Sequence, residues 1–290
     1  MPPRSARAYA ALLLLTAIWG YNWVVIKVAT SEADSFSMCA IRSIAAVIAL
    51  FTALTFARGA WRSPPVGPTI VLGLLQTTGF TLFQTLAIAT GGAGKTAILA
   101  YTMPFWAVLL AWPFLDERVN LHGGIALALA GVGLALVLVP LDFAHGLLSK
   151  ALALLAALSW GASAVYAKRF RARHAVDLLA LTAWQMLYGT LPLLVIAALA
   201  PHKYVHVDAT FAIAMAYVGV LGTGFAWLLW LFVLNRLTAG AAAVSSLLTP
   251  VVAAGAAWIQ LGERPGTLEL WGMACIVAAL VVHAIPARNA

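Results

Sequence analysis

Long apolar runs broken by short polar or charged turns set the rhythm of this chain. A run of about 20 apolar residues is long enough to cross a hydrocarbon core of about 30 Å as an α-helix. Ten such spans are predicted, over 8–29, 36–57, 68–90, 96–115, 120–140, 147–167, 178–200, 209–234, 241–261 and 266–286. The runs are continuous rather than alternating, which excludes a transmembrane β-barrel, so helices alone can satisfy the backbone in lipid. The connection 116–120 is short enough to fuse the fourth and fifth spans into one kinked hairpin. Glu263-Arg264-Pro265-Gly266, breaking the chain at the matching place further on, argues for two separate spans.

That matching place belongs to a duplication. Trp19-Gly20 and Lys27 recur 141 positions on as Trp160-Gly161 and Lys168, and Thr78-Gly79-Phe80 recurs 145 on as Thr223-Gly224-Phe225. Pro104, Trp112 and Glu117-Arg118 recur 146 on as Pro250, Trp258 and Glu263-Arg264. The landmarks keep their order with small insertions, which divides the chain into five-helix repeats at 1–142 and 143–290. Five is odd, so the second repeat enters the membrane from the opposite face. Inverted repeats of this kind are a transporter arrangement, with the substrate site near the midplane between the halves and alternating access by rocking. One chain then holds a complete two-half site, and a monomer can function alone.

Composition agrees with the membrane class. Apolar and aromatic residues make up 63% of the chain, charged residues 9%, and the mean hydropathy is +0.98, against about 25% charged residues in soluble domains. With both termini in the cytoplasm, eleven Lys and Arg fall on inner loops and four (Lys95, Lys150, Lys203, Arg264) on outer ones, the asymmetry that places the termini in the cytoplasm. The loop Lys168-Arg169-Phe170-Arg171-Ala172-Arg173-His174 and the net charge of +8 are read as topology and anionic-lipid anchors, not as a nucleic-acid site. Arg4 and Arg7 precede an apolar stretch as in a signal peptide. No small-residue cleavage site follows, and the stretch runs on through Trp19, Tyr21 and Trp23 as a first span.

Several features are set aside. Cys39 and Cys275 lie inside spans, so neither a disulfide nor a metal site is suggested. Ala89-Thr90-Gly91-Gly92-Ala93-Gly94-Lys95-Thr96 imitates a phosphate-binding loop, but that loop works between a strand and a helix in a soluble domain. Here it joins two spans, and Gly94, paired with Gly240, reads as a tight turn. The helix-end pairs Glu117-Arg118 and Glu263-Arg264 read as turn and topology markers. No cofactor, metal or nucleotide is expected; the expected partners are a small-molecule substrate and the bilayer, with no nucleic acid.

The candidate chemistry lies among polar and aromatic residues at mid-depth. No Asp or Glu falls in the middle of a span, which weakens proton or sodium coupling. Trp19, Asn22, Trp23, Ile26 and Lys27 share one face of the first span, and the matching face of the sixth is Trp160, Ser163, Ala164 and Lys168. Gln76, Phe80, Phe83 and Gln84 form a stripe on the third span; the two amides either line a cavity or bond a neighbouring helix. Tyr101 lies beside Pro104 on the fourth, Ser245, Ser246 and Thr249 in the matching region of the ninth, and Trp184, Gln185 and Tyr188 cluster on the seventh. Lys27 and Arg42, near outer helix ends, read as snorkelling anchors. A midplane cavity walled by Trp19, Phe80, Phe83, Tyr101 and Trp160, with Trp23 on the face of Trp19, takes an apolar or aromatic side chain, while Asn22, Gln76, Gln84 and Ser163 bond its polar groups. Gly20, Gly79, Pro104, Gly161, Gly224 and Pro250 read as hinges or close-packing points.

The Trp-Gly pair in the first span of each half, with a Thr/Pro-containing span closing on Glu-Arg, resembles the drug/metabolite transporter superfamily in its ten-helix form with two EamA-type domains. Within it the chain is most similar to bacterial amino-acid exporters of the YddG type. The resemblance implies a bacterial inner-membrane exporter of amino acids and similar metabolites, aromatic ones among them. Ala162 and Ala164 stand where the first copy has Tyr21 and Trp23, so the half-sites are chemically unequal. Other cargo such as nucleosides, sugars or lipophilic cations fits a cavity this neutral. A membrane-embedded lipid enzyme would need clustered His, Asp, Glu or Cys at one depth, and the six histidines are spread over loops and helix ends.

Overall fold

A computed structural model describes residues 3–57, 61–115, 121–138, 146–200, 204–234 and 239–284. They form ten helices: α1 (Pro3–Glu32), α2 (Ser35–Phe56), α3 (Val66–Thr90), α4 (Ala93–Leu115), α5 (Leu121–Leu138), α6 (Leu147–Arg173), α7 (Leu178–Leu199), α8 (in three stretches, Ala209–Met215, Ala216–Phe225 and Ala226–Leu234), α9 (Ala239–Leu261) and α10 (Thr267–Ala284). The chain is an all-α integral membrane protein of two inverted five-helix repeats. Seven helices are long and apolar enough to cross a bilayer, and shorter apolar stretches lie in α5, α9 and α10. No strand forms among the described residues; a single bridge pairs Ala33 with Val205.

The helix starts follow from capping. Asp34 accepts the N–H groups of Phe36 and Ser37 at the head of α2, and Asp177 that of Ala180 at the head of α7. Each satisfies donors that the first helical turn leaves free. Asp208 caps α8 by accepting the N–H of Phe211 at 2.7 Å, a bond that holds its carboxyl below the usual range. Gly262 ends α9 at φ 68°, the left-handed conformation glycine takes without strain.

The helices of the two repeats interleave. α1 packs on α9, α4 on α6, α2 on α7 and α8, and α5 on α10. Small residues make these crossings possible: a Cβ on Gly20 would meet Val252 on α9, and one on Gly161 would meet Trp106 and Ala107 on α4. Gly73 of α3 lies against the backbone of Gln185 and Gly189 on α7. One apolar core gathers Trp23, Ile26, Met38, Ile88, Ala97 and Val218, at the end of the bundle where α1 and α3 finish and α2 and α4 begin.

Three local features depart from regular α-helix. π-helical turns run through Leu74–Gly79 in α3 and Ala216–Phe225 in α8, the two places that carry the duplicated Thr-Gly-Phe. α4 breaks at Tyr101 and Thr102 between Ala93–Ala100 and Met103–Leu115, where Pro104 has no N–H to continue the ladder. Its counterpart Pro250 sits inside an unbroken α9, so the two copies differ here.

Some expectations are corrected. The basic stretch from Lys168 to Arg173 is not a loop but the end of α6, with Arg171 and Arg173 in the last turn, where the negative end of the helix dipole favours cations. Gly94 is not a tight turn; it lies in the first turn of α4 against Ala254 and Ala257. Glu263 does more than mark a turn: its carboxylate accepts the N–H groups of Ala93 and Gly94 at 2.8 and 2.9 Å. The donors that a phosphate would need in the glycine-rich segment are thus taken by the chain's own carboxylate. Beside it Lys95 and Glu269 pair at 2.6 Å. Glu117 and Arg118 fall outside the described residues.

Two stability outcomes are expected. Gly73→Ala forces a Cβ to within 2.5 Å of the Gln185 carbonyl and destabilises by ~1–3 kcal/mol, whereas Gly67→Ala, with open space around it, is neutral or mildly stabilising. Glu263→Ala strands two N–H groups at the start of α4 and costs ~1–3 kcal/mol, while Lys95→Ala, from a pair whose lysine is 43% exposed, costs less than ~1 kcal/mol. Thermal unfolding in detergent checks both pairs; equal shifts within either pair would contradict the packing described.

Candidate functional site

The irregular turns face a common space. A cavity of about 250 Å³ lies between α1, α2, α3, α4, α6, α7 and α8, drawing walls from both repeats. From α1 come Trp19, Asn22 and Trp23, from α3 Gln76, Thr77, Phe80, Thr81 and Gln84, and from the break in α4 Tyr101, Met103 and Pro104. α8 contributes Gly222, Thr223, Trp227 and Trp230, and α6 Trp160 and Ala164.

Aromatic rings run continuously along one side. Phe80 meets Trp160 edge-on at 4.8 Å, Trp160 stacks on Trp227 at 5.7 Å, and Trp227 touches Trp19, which lies 5.9 Å from Trp230. The duplicated Trp19 and Trp160 therefore meet through a third tryptophan. These offset and edge-to-face contacts are the favoured geometries for such rings. Trp19 is held by its Nε1–H, which donates to the Gly222 carbonyl at 3.1 Å, a carbonyl in the π-helical stretch of α8. Further along α1, Trp23 lies 6.2 Å from Tyr101.

The polar groups gather one turn further along α3. Gln84 is 3% exposed and accepts a bond from Arg42 Nη1 at 3.3 Å, with Thr85 Oγ1 at 3.5 Å. Arg42 itself is 6% exposed, lines the cavity, and has no carboxylate partner among the described residues. Asn22 is 5% exposed, and its Oδ1 is buried without a hydrogen bond. Among the described residues no Asp or Glu lines the cavity.

Of the ten residues predicted as substrate ligands, eight line this one cavity: Trp19, Asn22, Trp23, Gln76, Phe80, Gln84, Tyr101 and Trp160. Phe83 and Ser163 do not. Phe83 points into a separate groove of about 750 Å³ between α3, α4 and α6, because its place three residues after Phe80 carries it round the helix. Ser163 turns back on its own helix and donates to the Trp160 carbonyl at 2.7 Å. Gln185 is buried as the acceptor of Thr77 Oγ1 at 3.0 Å, and Tyr188 shares a bond with Ser63; neither reaches the cavity. Gly79 and Gly224 sit at close crossings, against Ser159 and Ala49. Thr249 lies beside the Tyr101 hydroxyl, and the side chains of Ser245 and Ser246 fall outside those described.

The two cations read as snorkelling anchors both turn inward. Lys27 Nζ donates to the carbonyls of Ile88, Ala89 and Gly91 at 3.0, 3.4 and 2.7 Å, capping the end of α3 where the dipole favours a positive charge. Arg42 starts about 10 Å along α2 and bonds α3 instead of reaching for the interface. Trp227 and Trp230 were not predicted, although with Thr223 they fall at i, i+4 and i+7, a spacing that puts all three on one face. Outside the cavity, Glu32, His206 and Asp208 offer ligand atoms within 4.8 Å of one another, with Asp208 already engaged as the α8 cap.

Comparison with known proteins picks out both copies of the duplication. The EamA-like transporter family profile matches twice, over residues 6–139 and 148–284. The chain belongs to the EamA-like transporter family. It is a multi-pass membrane transporter of the drug/metabolite type and not an enzyme. It is 28% identical to the "Uncharacterized transporter YoaV" of Bacillus subtilis (strain 168) over 87% of this chain and 88% of that one. It is 30% identical to the "Probable amino-acid metabolite efflux pump" of Salmonella typhimurium, over 93% of this chain and 92% of that one. A crystal structure at 20% identity superposes with a TM-score of 0.67 over 96% of both chains, a likeness in fold.

Proposed function

We propose that this transporter exports neutral amino acids, aromatic ones foremost, across the bacterial inner membrane by alternating access through the central cavity. The observation that carries the proposal is the ring wall Phe80–Trp160–Trp227–Trp19–Trp230, which both repeats build. An apolar or aromatic side chain buried there gains ~25 cal/mol per Å² removed from water, plus edge and face contacts. Near these rings Asn22, Gln76 and Gln84 offer amides to the polar end of the cargo. The printed name of the Salmonella relative, an amino-acid metabolite efflux pump, points the same way.

The mechanism follows from where the cavity sits. Its walls come from the middle of α1 and α3 and from the break in α4, while the core at the Trp23 and Ile26 end and the Glu263 latch close the bundle beyond it. With both termini cytoplasmic, as the Lys and Arg distribution indicates, the latched end is the outer one, and loading takes place from the inner side in the cycle proposed here. Rocking one half against the other then releases the latch and reseals the inner side. Gly20, Gly79, Gly161 and Gly224 provide the close crossings about which the helices turn, and Pro104 and Pro250 the points where they bend. One chain contains the whole cavity, so a monomer is sufficient.

Proteoliposomes given radiolabelled amino acids, nucleosides and cationic drugs test this directly. Saturable flux of aromatic amino acids, unchanged by an imposed pH gradient because no carboxylate lines the cavity, is expected. Flux of cationic drugs alone would overturn the reading. Trp160→Ala, which removes the ring that joins Phe80 to Trp227, is expected to insert and fold yet lose saturable transport; unimpaired uptake would take Trp160 out of the site.

A further inference from the structure

We infer that Arg42 is the cargo's carboxylate receptor, and that this cavity selects molecules by a free carboxylate and not by their ammonium group. The inference rests on the transport reading above and deepens it.

A guanidinium offers five N–H donors. Arg42 uses one nitrogen, Nη1, on two long bonds to neutral acceptors, Gln84 Oε1 and Thr85 Oγ1. It is almost wholly buried, it lines the cavity, and no described carboxylate balances it. A cation at membrane depth is costly, and such residues mark substrate pathways. Its planar fork matches a carboxylate through two parallel bonds.

The duplication argues that the fold does not require this charge. Asp34 and Asp177 cap α2 and α7 and lie 143 positions apart (177 − 34). Arg42 and Gln185 stand at the same separation (185 − 42). Their surroundings match: Gly219 abuts the backbone of Arg42, and Gly73 that of Gln185. At the equivalent place in the second repeat the chain uses a neutral amide, whose oxygen accepts from Thr77. The charge belongs to one half only, on the cavity side of the helix.

Position sets the cargo's orientation. Gln84, which meets Arg42, lies one turn beyond Phe80 on α3, so a carboxylate at Arg42 directs the attached side chain toward the ring wall. Asn22, between Trp19 and Trp23 on α1, lines the cavity, with its Oδ1 buried against Gly222 of α8. The cargo's amino end therefore meets neutral neighbours there, whether it is an ammonium or an acylated amine. With one cation and no anion in the lining, the cavity tolerates loss of the cargo's positive charge and rejects loss of its negative one. The chemical class is therefore apolar or aromatic monocarboxylates, with the amino group free, capped or absent.

The test is ligand binding to the purified full chain in detergent, read by quenching of the cavity tryptophans. L-phenylalanine, N-acetyl-L-phenylalanine and 3-phenylpropionate are expected to bind, and phenylalanine methyl ester and phenethylamine to fail. Arg42→Gln is expected to weaken carboxylate binding at least ~30-fold, with Arg42→Lys retaining part of it. Ester binding as tight as the acid, carboxylate binding untouched by Arg42→Gln, or no carboxylate binding at all would overturn the inference. If Arg42→Gln fails to fold, the acid-against-ester series on the unaltered protein decides alone. Arg42-dependent binding of 3-phenylpropionate without phenylalanine transport would sink the amino-acid reading and leave this one standing; phenylalanine transport that persists in Arg42→Gln would do the reverse.

Discussion

Hydrocarbon gives a backbone no hydrogen-bond partner, so a helix that crosses it can be irregular only where protein surrounds it. The irregularities of this chain obey that constraint and in doing so locate the cavity. The π-helical turns of α3 and α8 and the break in α4 all border it. The carbonyls they release are met by hydroxyls: Thr223 Oγ1 reaches back five residues to Val218 at 2.8 Å, Ser159 bonds Leu75 at 2.6 Å, and Thr102 bonds Leu99 at 2.6 Å. Thr78, in the π-turn of α3, donates across to the Gly189 carbonyl of α7. π-turns are rare and concentrate at functional sites, and a pair of them at a duplicated Thr-Gly-Phe ties the site to the repeat itself.

Close approach is the second consequence. In lipid, helices gain little by hiding apolar surface from one another and must associate by tight contact. Gly73 and Gly189 face each other, Gly20 admits Val252, and Gly161 admits Trp106. Because these crossings join one repeat to the other, large rings from both can meet in the space left beside them. The small residues and the tryptophans are thus one arrangement: the first bring the backbones together, and the second fill the gap near the midplane.

The spans were legible because length and continuous hydropathy decide them, and α8 falls over 209–234 as predicted. The repeat was legible because Trp-Gly and Pro-to-Glu-Arg keep their spacing. What escaped depended on direction. Phe83 shares a helical stripe with Phe80 by loose spacing, yet faces a different groove, since three residues of regular α-helix carry it about 60° round from Phe80. Arg42 resembled an interfacial anchor by position along the chain, and only the approach of α3 shows that its nearest acceptors lie inward. The glycine-rich segment before α4 looked like a phosphate loop because it is an anion site at a helix start. Its anion, Glu263, lies 170 residues away from Ala93, beyond the reach of local pattern.

An inverted repeat can exchange the conformations of its two halves, so in an alternating-access cycle the positions alike in both halves swap surroundings and can serve both states. Trp19 and Trp160, and the glycines at the crossings, are of this kind. A cargo with one charged end breaks that symmetry and needs a cavity with one distinct pole. The differences between the halves supply it: Arg42 against Gln185, Trp23 against Ala164, and a broken α4 at Pro104 against an unbroken α9 at Pro250. Trp23, Arg42 and Pro104 of the first repeat all line the cavity, and of their counterparts only Ala164 does, with a single methyl. On the proposed cycle, the shared residues account for how the chain moves, and the unshared ones for what it recognises.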